Sequence, residues 1–326
     1  MRLKTRLTDT LAIQHPILLA PMGVMAGGRL AAAVSNAGGL GIIGGGYGDA
    51  EWLERQFAAA EGARVGCGFI TWSMARDPAL LDLVLAKRPA ALMLSFGEVA
   101  PHLLRIKAQG VPLICQVQGM KYLREAVDAG ADIVVAEGCE AGGHSGHRGL
   151  FTLLPEAADY LARFSPDTVL VAAGGVGDGR GLAAALLLGA DGVLVGTRFV
   201  ACEESEAPEG FRQAIVRADG DSTMKSNSVD VVRKRYWPNP EFVVRVLKNT
   251  FVDKWHGRER ELENEIDVEN ERFWSAFNAG DADNSGVLMG EVSGLIQDAP
   301  PASKIIQNMI ASACQLLGVH SPFVAS

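Results

Sequence analysis

Eight short apolar runs in the first 200 residues constrain the fold of this chain more than any other feature. They are Ile17–Ala20, Leu40–Gly45, Val65–Ile70, Ala91–Phe96, Pro112–Val117, Asp132–Glu137, Thr168–Ala173 and Gly192–Thr197. Their apolar residues are continuous rather than alternating, which marks strands buried on both faces, as in a parallel sheet. The segments between them, such as Arg29–Gly38 and Gly179–Gly189, are rich in alanine and leucine and end in glycine, as capped helices do. The stretches from Ala126 and from Ala185 share the pattern A-x-x-x-G-A-D before their strands, a near-repeat two helix–strand units apart. Eight strand-then-helix units predict a (β/α)8 TIM barrel, a fold of about 250 residues with its insertions. The competitor is an open, doubly wound sheet.

After Phe199 the texture changes, and charge becomes denser. The expected organisation is a barrel over residues 1–205, a smaller, mainly helical lid subdomain over 206–290 inserted after the eighth strand, and a segment 291–326 that packs back on the barrel. Within the lid, Glu259–Phe273 reads as one solvated helix, and near the end Ala302–Gly318 reads as amphipathic.

Several chemistries are disfavoured. The net charge is −8 and the longest basic run is Arg233-Lys234-Arg235, so nucleic acid is not an expected partner. Five scattered cysteines without a CxxC pair suit reduced thiols in the cytoplasm. The polar N-terminus lacks the apolar stretch of a signal peptide. The longest charge-free run, Leu30–Gly48, is broken by seven glycines, so no membrane span is expected. Gly39–Gly44 matches G-x-G-x-x-G but runs into a strand instead of following one, and carries no Rossmann meaning. Asp281–Gly286 imitates a calcium loop whose twelfth position is Val292 rather than glutamate, and reads as a polar turn. His144-x-x-His147 lacks further ligands, so no metal is expected, and His147 reads as exposed. No lysine ends a predicted strand and no G-x-S-x-G elbow occurs, against Schiff-base and serine chemistry.

In barrels of this kind the site lies in the loops after the strands. Four glycine-bearing loops fall there: Ala20–Gly23, Gly138–His147 (GCEAGGHSGH), Ala172–Gly181 and Val195–Phe199. Gly174 and Gly175, with Gly196 and Thr197, can turn backbone N–H groups toward a phosphate. His144 is the proton carrier in the third-from-last of these loops, and Cys139 beside it reads as packing because Glu137 and Glu140 oppose a thiolate. A phosphate anchor, an apolar mouth and one histidine suit a phosphorylated cofactor.

Taken together, APMG (Ala20–Gly23), GCEAGGHSG, AAGGVGDGRG, GADGVLVGTRF and the late GVLMGEVSGLI resemble the nitronate monooxygenase family. The likeness runs from about Leu11 to Ala201 and returns near Gly286–Ile296. It implies an FMN-binding barrel closed by a helical domain. It would place Ala20, Pro21, Met22 and Gly23 along the flavin, and Gly142 and Gly143 near its ring. Thr71, Gln116 and Glu137 would reach its polar edge or ribityl chain, and Gly174, Gly175, Gly196 and Thr197 would hold the phosphate. His144 matches the family's active-site histidine. Several relatives have lysine in place of Gln116 and glutamine in place of Glu291. The activity implied is oxidation of alkyl nitronates or nitroalkanes by O2 to a carbonyl compound and nitrite. The alternative is NAD(P)H-dependent reduction of quinones or enoyl thioesters, and a third reading is a non-catalytic binder of a phosphorylated ligand. The partners are a small-molecule substrate and O2, with NAD(P)H in the alternative. A homodimer is compatible with the sequence.

Overall fold

The eight apolar runs form the strands of one parallel sheet, for a reason visible in their burial. The computed structural model describes residues 3–318. The strands are β1 (Ile17–Leu19), β2 (Ile42–Gly46), β3 (Gly66–Ile70), β4 (Leu92–Ser95), β5 (Leu113–Val117), β6 (Ile133–Glu137), β8 (Val169–Ala173) and β9 (Gly192–Val195). Side chains alternate across a strand. Leu18, Met93, Ile114, Val135, Val171 and Leu194 therefore fill the interior, while their neighbours Leu19, Leu94, Cys115, Val134, Leu170 and Val193 pack against the surrounding helices. Both sets are buried, so the runs show no polar alternation.

The sheet order is β1-β9-β8-β6-β5-β4-β3-β2, all parallel. A parallel bridge from Leu18 to Leu40 joins the two ends and closes the barrel. At the N-terminal end of the strands, the helix Arg6–Thr10 is capped by Thr5 and adds Leu7 to the interior cluster, which Leu11 also joins. Two expected helices are found at Gly28–Asn36 and Gly179–Leu187. The second starts at Asp178, whose carboxylate accepts from the N–H groups of Arg180 and Gly181. The helix Ala302–Gly318 lays Ile305, Ile306, Met309 and Ile310 against the barrel cluster, as its amphipathic pattern implies. Residues 319–326 of the expected C-terminal segment lie outside the described residues.

The region after the barrel is not helical throughout. It holds five α-helices, Glu209–Arg217, Ser228–Val232, Thr250–Trp255, Glu259–Asn264 and Ile266–Ala279, and two strands, β10 (Thr223–Lys225) and β11 (Val243–Leu247). The single helix expected over Glu259–Phe273 is broken at Glu265. Leu262 and Phe273, one from each piece, then bury in the same cluster. The two strands pair antiparallel, and β11 also pairs with β7 (Gly143–Ser145), in the loop after β6. This small sheet pins the glycine-rich loop, a feature the sequence reading missed. Among the described residues no helix is long and apolar enough to cross a membrane.

Candidate active site

A cavity of about 500 Å³ lies at the C-terminal ends of the barrel strands. Its wall includes Ala20, Pro21, Met22, Gly23, Gln116, Glu137, Gly142, Gly143, His144, Gly174, Gly175, Gly196 and Thr197, site residues expected from six separate stretches of the sequence. Thr71 is the exception. It is buried at the start of the helix Thr71–Met74, is not on the cavity wall, and its hydroxyl has no hydrogen-bond partner. The backbone of Gly97 passes over it, 2.9 Å from the Thr71 Cβ to where a side chain would begin. A second groove, of about 610 Å³, is open and lies beside Arg6 and Asp191, at the other end of the strands.

Two close backbone crossings shape the cavity. A Cβ on Gly142 would lie 2.5 Å from the nitrogen of Gly290 and from the carbonyl carbon of Met289. One on Gly290 would lie 2.6 Å from the oxygen of Glu140. The N–H of Gly290 donates to the Thr197 hydroxyl (3.0 Å), and that of Glu291 donates to Glu140 O (3.0 Å). The Glu291 carboxylate pairs with Arg245 at 2.8 Å. Gly142→Ala is expected to force the two loops apart and to lower stability by about 1–3 kcal/mol, the usual cost of overpacking. Urea unfolding checks this, and an unchanged midpoint would show that the crossing is slack. Gly174 and Gly175 have φ of +94° and +71°, conformations that favour glycine.

His144 is not carried on a free loop. It sits on β7 opposite Val244 of β11 and is 9% exposed. Its Nε2 lies 2.6 Å from Asp230 Oδ2, and Asp230 Oδ1 accepts from Arg233 at 2.7 Å. The indole of Trp237 stacks on the imidazole, with centroids 3.6 Å apart and planes at 19°. Trp237 also donates from Nε1 to the Tyr47 hydroxyl (3.1 Å) and meets Trp72 and Phe96 edge-on. Burial, the larger effect, holds the His144 pKa below its usual 6.5 against the hydrogen bond and charge of Asp230. Burial pushes Asp230 up, but His144 and Arg233 together outweigh it and hold the carboxyl below its usual value. An ionised carboxylate only accepts, so the imidazole proton resides on Nε2 and Nδ1 keeps its lone pair.

Glu137 is buried at the end of β6, with its Oε2 accepting from Gln116 Nε2 and Gln118 Nε2, each at 2.9 Å. Lys225 of β10 gives its ammonium to the carbonyl oxygens of Ser145 and Gly146. His147 is exposed. Burial raises the Cys139 thiol above its usual range, with Glu140 adding to it, so the thiol stays protonated. Asp281–Gly286 is a turn in which Asp281 accepts from the N–H groups of Asp283 and Asn284. Asp230, Arg233, Trp237, Gln118 and Gly290 were missed as site residues. Gly290 stands inside the quoted GVLMG run; nothing in the sequence around Asp230 distinguishes it from any other surface-like aspartate.

Known proteins resemble this chain over nearly its whole length. The sequence profile described as nitronate monooxygenase matches residues 4–66 and 71–312. A nitronate monooxygenase of Neurospora crassa is 31% identical over 96% of this chain and 93% of its own. The (3aS,4S,5R,7aS)-5-hydroxy-7a-methyl-1-oxo-octahydro-1H-indene-4-carboxyl-CoA dehydrogenase of Mycobacterium tuberculosis is 29% identical over 99% of this chain and 100% of its own. Among solved structures, FabK from Thermotoga maritima superposes with a TM-score of 0.85 at 30% identity, covering 97% of this chain and 98% of that one. With the closed barrel and the match running from one end of the described residues almost to the other, the chain belongs to the nitronate monooxygenase family and is an oxidoreductase.

Proposed function

We propose that the chain binds FMN and oxidises alkyl nitronates or nitroalkanes with O2, yielding a carbonyl compound and nitrite, with His144 as the base. The observation that carries this is His144 on the wall of a glycine-lined cavity, with its Nε2 held by the buried Asp230. The residues present fit FMN. The volume is of the size that holds a cofactor, the Gly142–Gly290 crossing keeps side chains out, and the amides of Gly174, Gly175 and Gly196 with the Thr197 hydroxyl suit its phosphate. When bound, FMN supplies the electron acceptor and the reaction with O2.

The chain's own residues do the rest. His144 Nδ1 takes the α-proton of a neutral nitroalkane, and the positive charge that forms is stabilised through Nε2–H by Asp230. The Trp237 stack fixes the ring plane and covers one face from water. An anionic nitronate needs no base, and the neutral imidazole would only position it. The chain's five cysteines are unpaired, which supports a cytoplasmic setting.

A second reading is NAD(P)H-dependent reduction of quinones or enoyl thioesters. The likeness to FabK and to a CoA dehydrogenase supports it. So does the apolar wall of Phe211, Phe273, Trp274 and Phe277, which offers room for a substrate larger than a small nitroalkane. An anaerobic absorbance titration of the flavin-loaded protein separates the readings. Bleaching by alkyl nitronate and not by NADH or NADPH is expected. Bleaching by nicotinamide alone would make the protein a reductase, and a failure to bind flavin would undo both readings.

A further inference from the structure

The cavity contains a carboxyl group whose surroundings suit its neutral form. Glu137 is 6% exposed, and both amide donors that reach it, Gln116 Nε2 and Gln118 Nε2, converge on the same oxygen, Oε2. A carbonyl oxygen accepts two hydrogen bonds in this way, whereas an ionised carboxylate is best served by donors on both oxygens. Oε1 takes no hydrogen bond from the described residues, and Glu137 lines the cavity.

The charges around the group do not secure the ionised form. On the β8 side its strand partner is Ala173. On the β5 side it meets the two neutral amides. The cation that acts on it from β10, Lys225, spends its ammonium on the carbonyl oxygens of Ser145 and Gly146, and burial weakens its own hold on the proton. The carboxylate of Glu140 also draws on Lys225, and Arg245 opposes its charge. Among the described residues no ion pair forms on Glu137. An unpaired buried carboxyl group takes up a proton rather than bear the loss of hydration. Burial pushes it up to about 8, against the pull of Gln118, Lys225 and Gln116.

We propose that Glu137 is held as a neutral carboxylic acid at neutral pH, and that its Oε1–H is a hydrogen-bond donor to an acceptor atom of the bound flavin ring. This rests on the flavin reading above. The same residue in its ionised form could only accept, and would oppose the negative charge that a reduced flavin carries. The proton on Glu137 thus decides whether this side of the cavity favours or resists an electron-rich ring.

Two readouts test it without recourse to turnover: the protonated carboxyl band in difference infrared spectra, and FMN affinity by fluorescence quenching between pH 7 and pH 9. Glu137→Gln keeps an oxygen for both amides and puts an N–H in place of Oε1–H. In the wild type the band should disappear with a midpoint near 8, and it should be missing from Glu137→Gln. FMN affinity of the wild type should fall by about 10-fold over that range, as a donor is replaced by a charge. Glu137→Gln should bind within about 3-fold of wild type at pH 7 and show no fall.

Absence of the band at pH 7, or a loss of about 10-fold or more in Glu137→Gln at pH 7, would show an ionised acceptor and overturn the proposal. A band with pH-independent FMN affinity would overturn the donor role. If neither protein bound FMN, the flavin reading and the donor role would fall together, while the infrared band would still decide the protonation state.

Discussion

His144→Ala is expected to lower kcat/KM for a neutral nitroalkane by about 10²–10⁴-fold, the range that a positioned general base contributes, and to spare the pre-formed nitronate by comparison. The contrast follows from the chemistry, since only the neutral substrate has a proton to lose. The pH dependence should carry the same signature. The lone pair on Nδ1 is present when the imidazole is neutral, and burial keeps the pKa below 6.5. Activity on neutral nitroalkane should therefore be level above that value and fall only at lower pH. Steady-state kinetics on both substrates checks this. Equal losses on both would assign His144 to holding the substrate rather than to deprotonating it.

Asp230→Asn is expected to reduce kcat/KM for the neutral substrate by about 10–100-fold. That corresponds to losing a hydrogen bond to a charged group, worth about 1.5–3 kcal/mol. It should also move the acid limb of the pH profile to lower pH. The sign is set by the opposing influences on His144: burial lowers its pKa and Asp230 raises it, so removing the carboxylate leaves burial unopposed. A merely structural Asp230 would change the amount of folded enzyme without moving that limb. Asp230→Ala should in addition destabilise the fold by about 3 kcal/mol, because Arg233 and His144 lose the group they share. Urea unfolding reads that loss.

The barrel was legible because its strands obey a local rule. A segment buried on both faces must be apolar throughout, so Ile133–Glu137 and Val169–Ala173 stand out without knowledge of their neighbours. The glycine loops and His144 on the cavity wall were legible from glycines placed just after such runs, since barrel topology brings all strand ends to one rim. Thr71 shows where that rule stops. It follows β3 as expected, yet the chain turns directly into a helix, the hydroxyl is buried without a partner, and the residue is not on the cavity wall. Position at a strand end does not set the direction of a side chain.

Other features had no local signature. Strand β7 is three residues of a G-G-H-S run, too short to show alternation, and exists because β11, about 100 residues later, supplies its hydrogen bonds. Asp230 and Trp237 reach His144 from 86 and 93 positions away, from a helix and a loop whose sequences give no hint of it. The sequence alone therefore determined a closed parallel barrel, the rim where the cavity opens, and the histidine on it, because burial and backbone conformation act on neighbouring residues. Only the tertiary structure decided which nitrogen of that histidine is free, what covers its face, and which carboxyl group shares the cavity with two amides and no counter-ion. These depend on contacts between distant segments, and pKa and tautomer follow from the contacts.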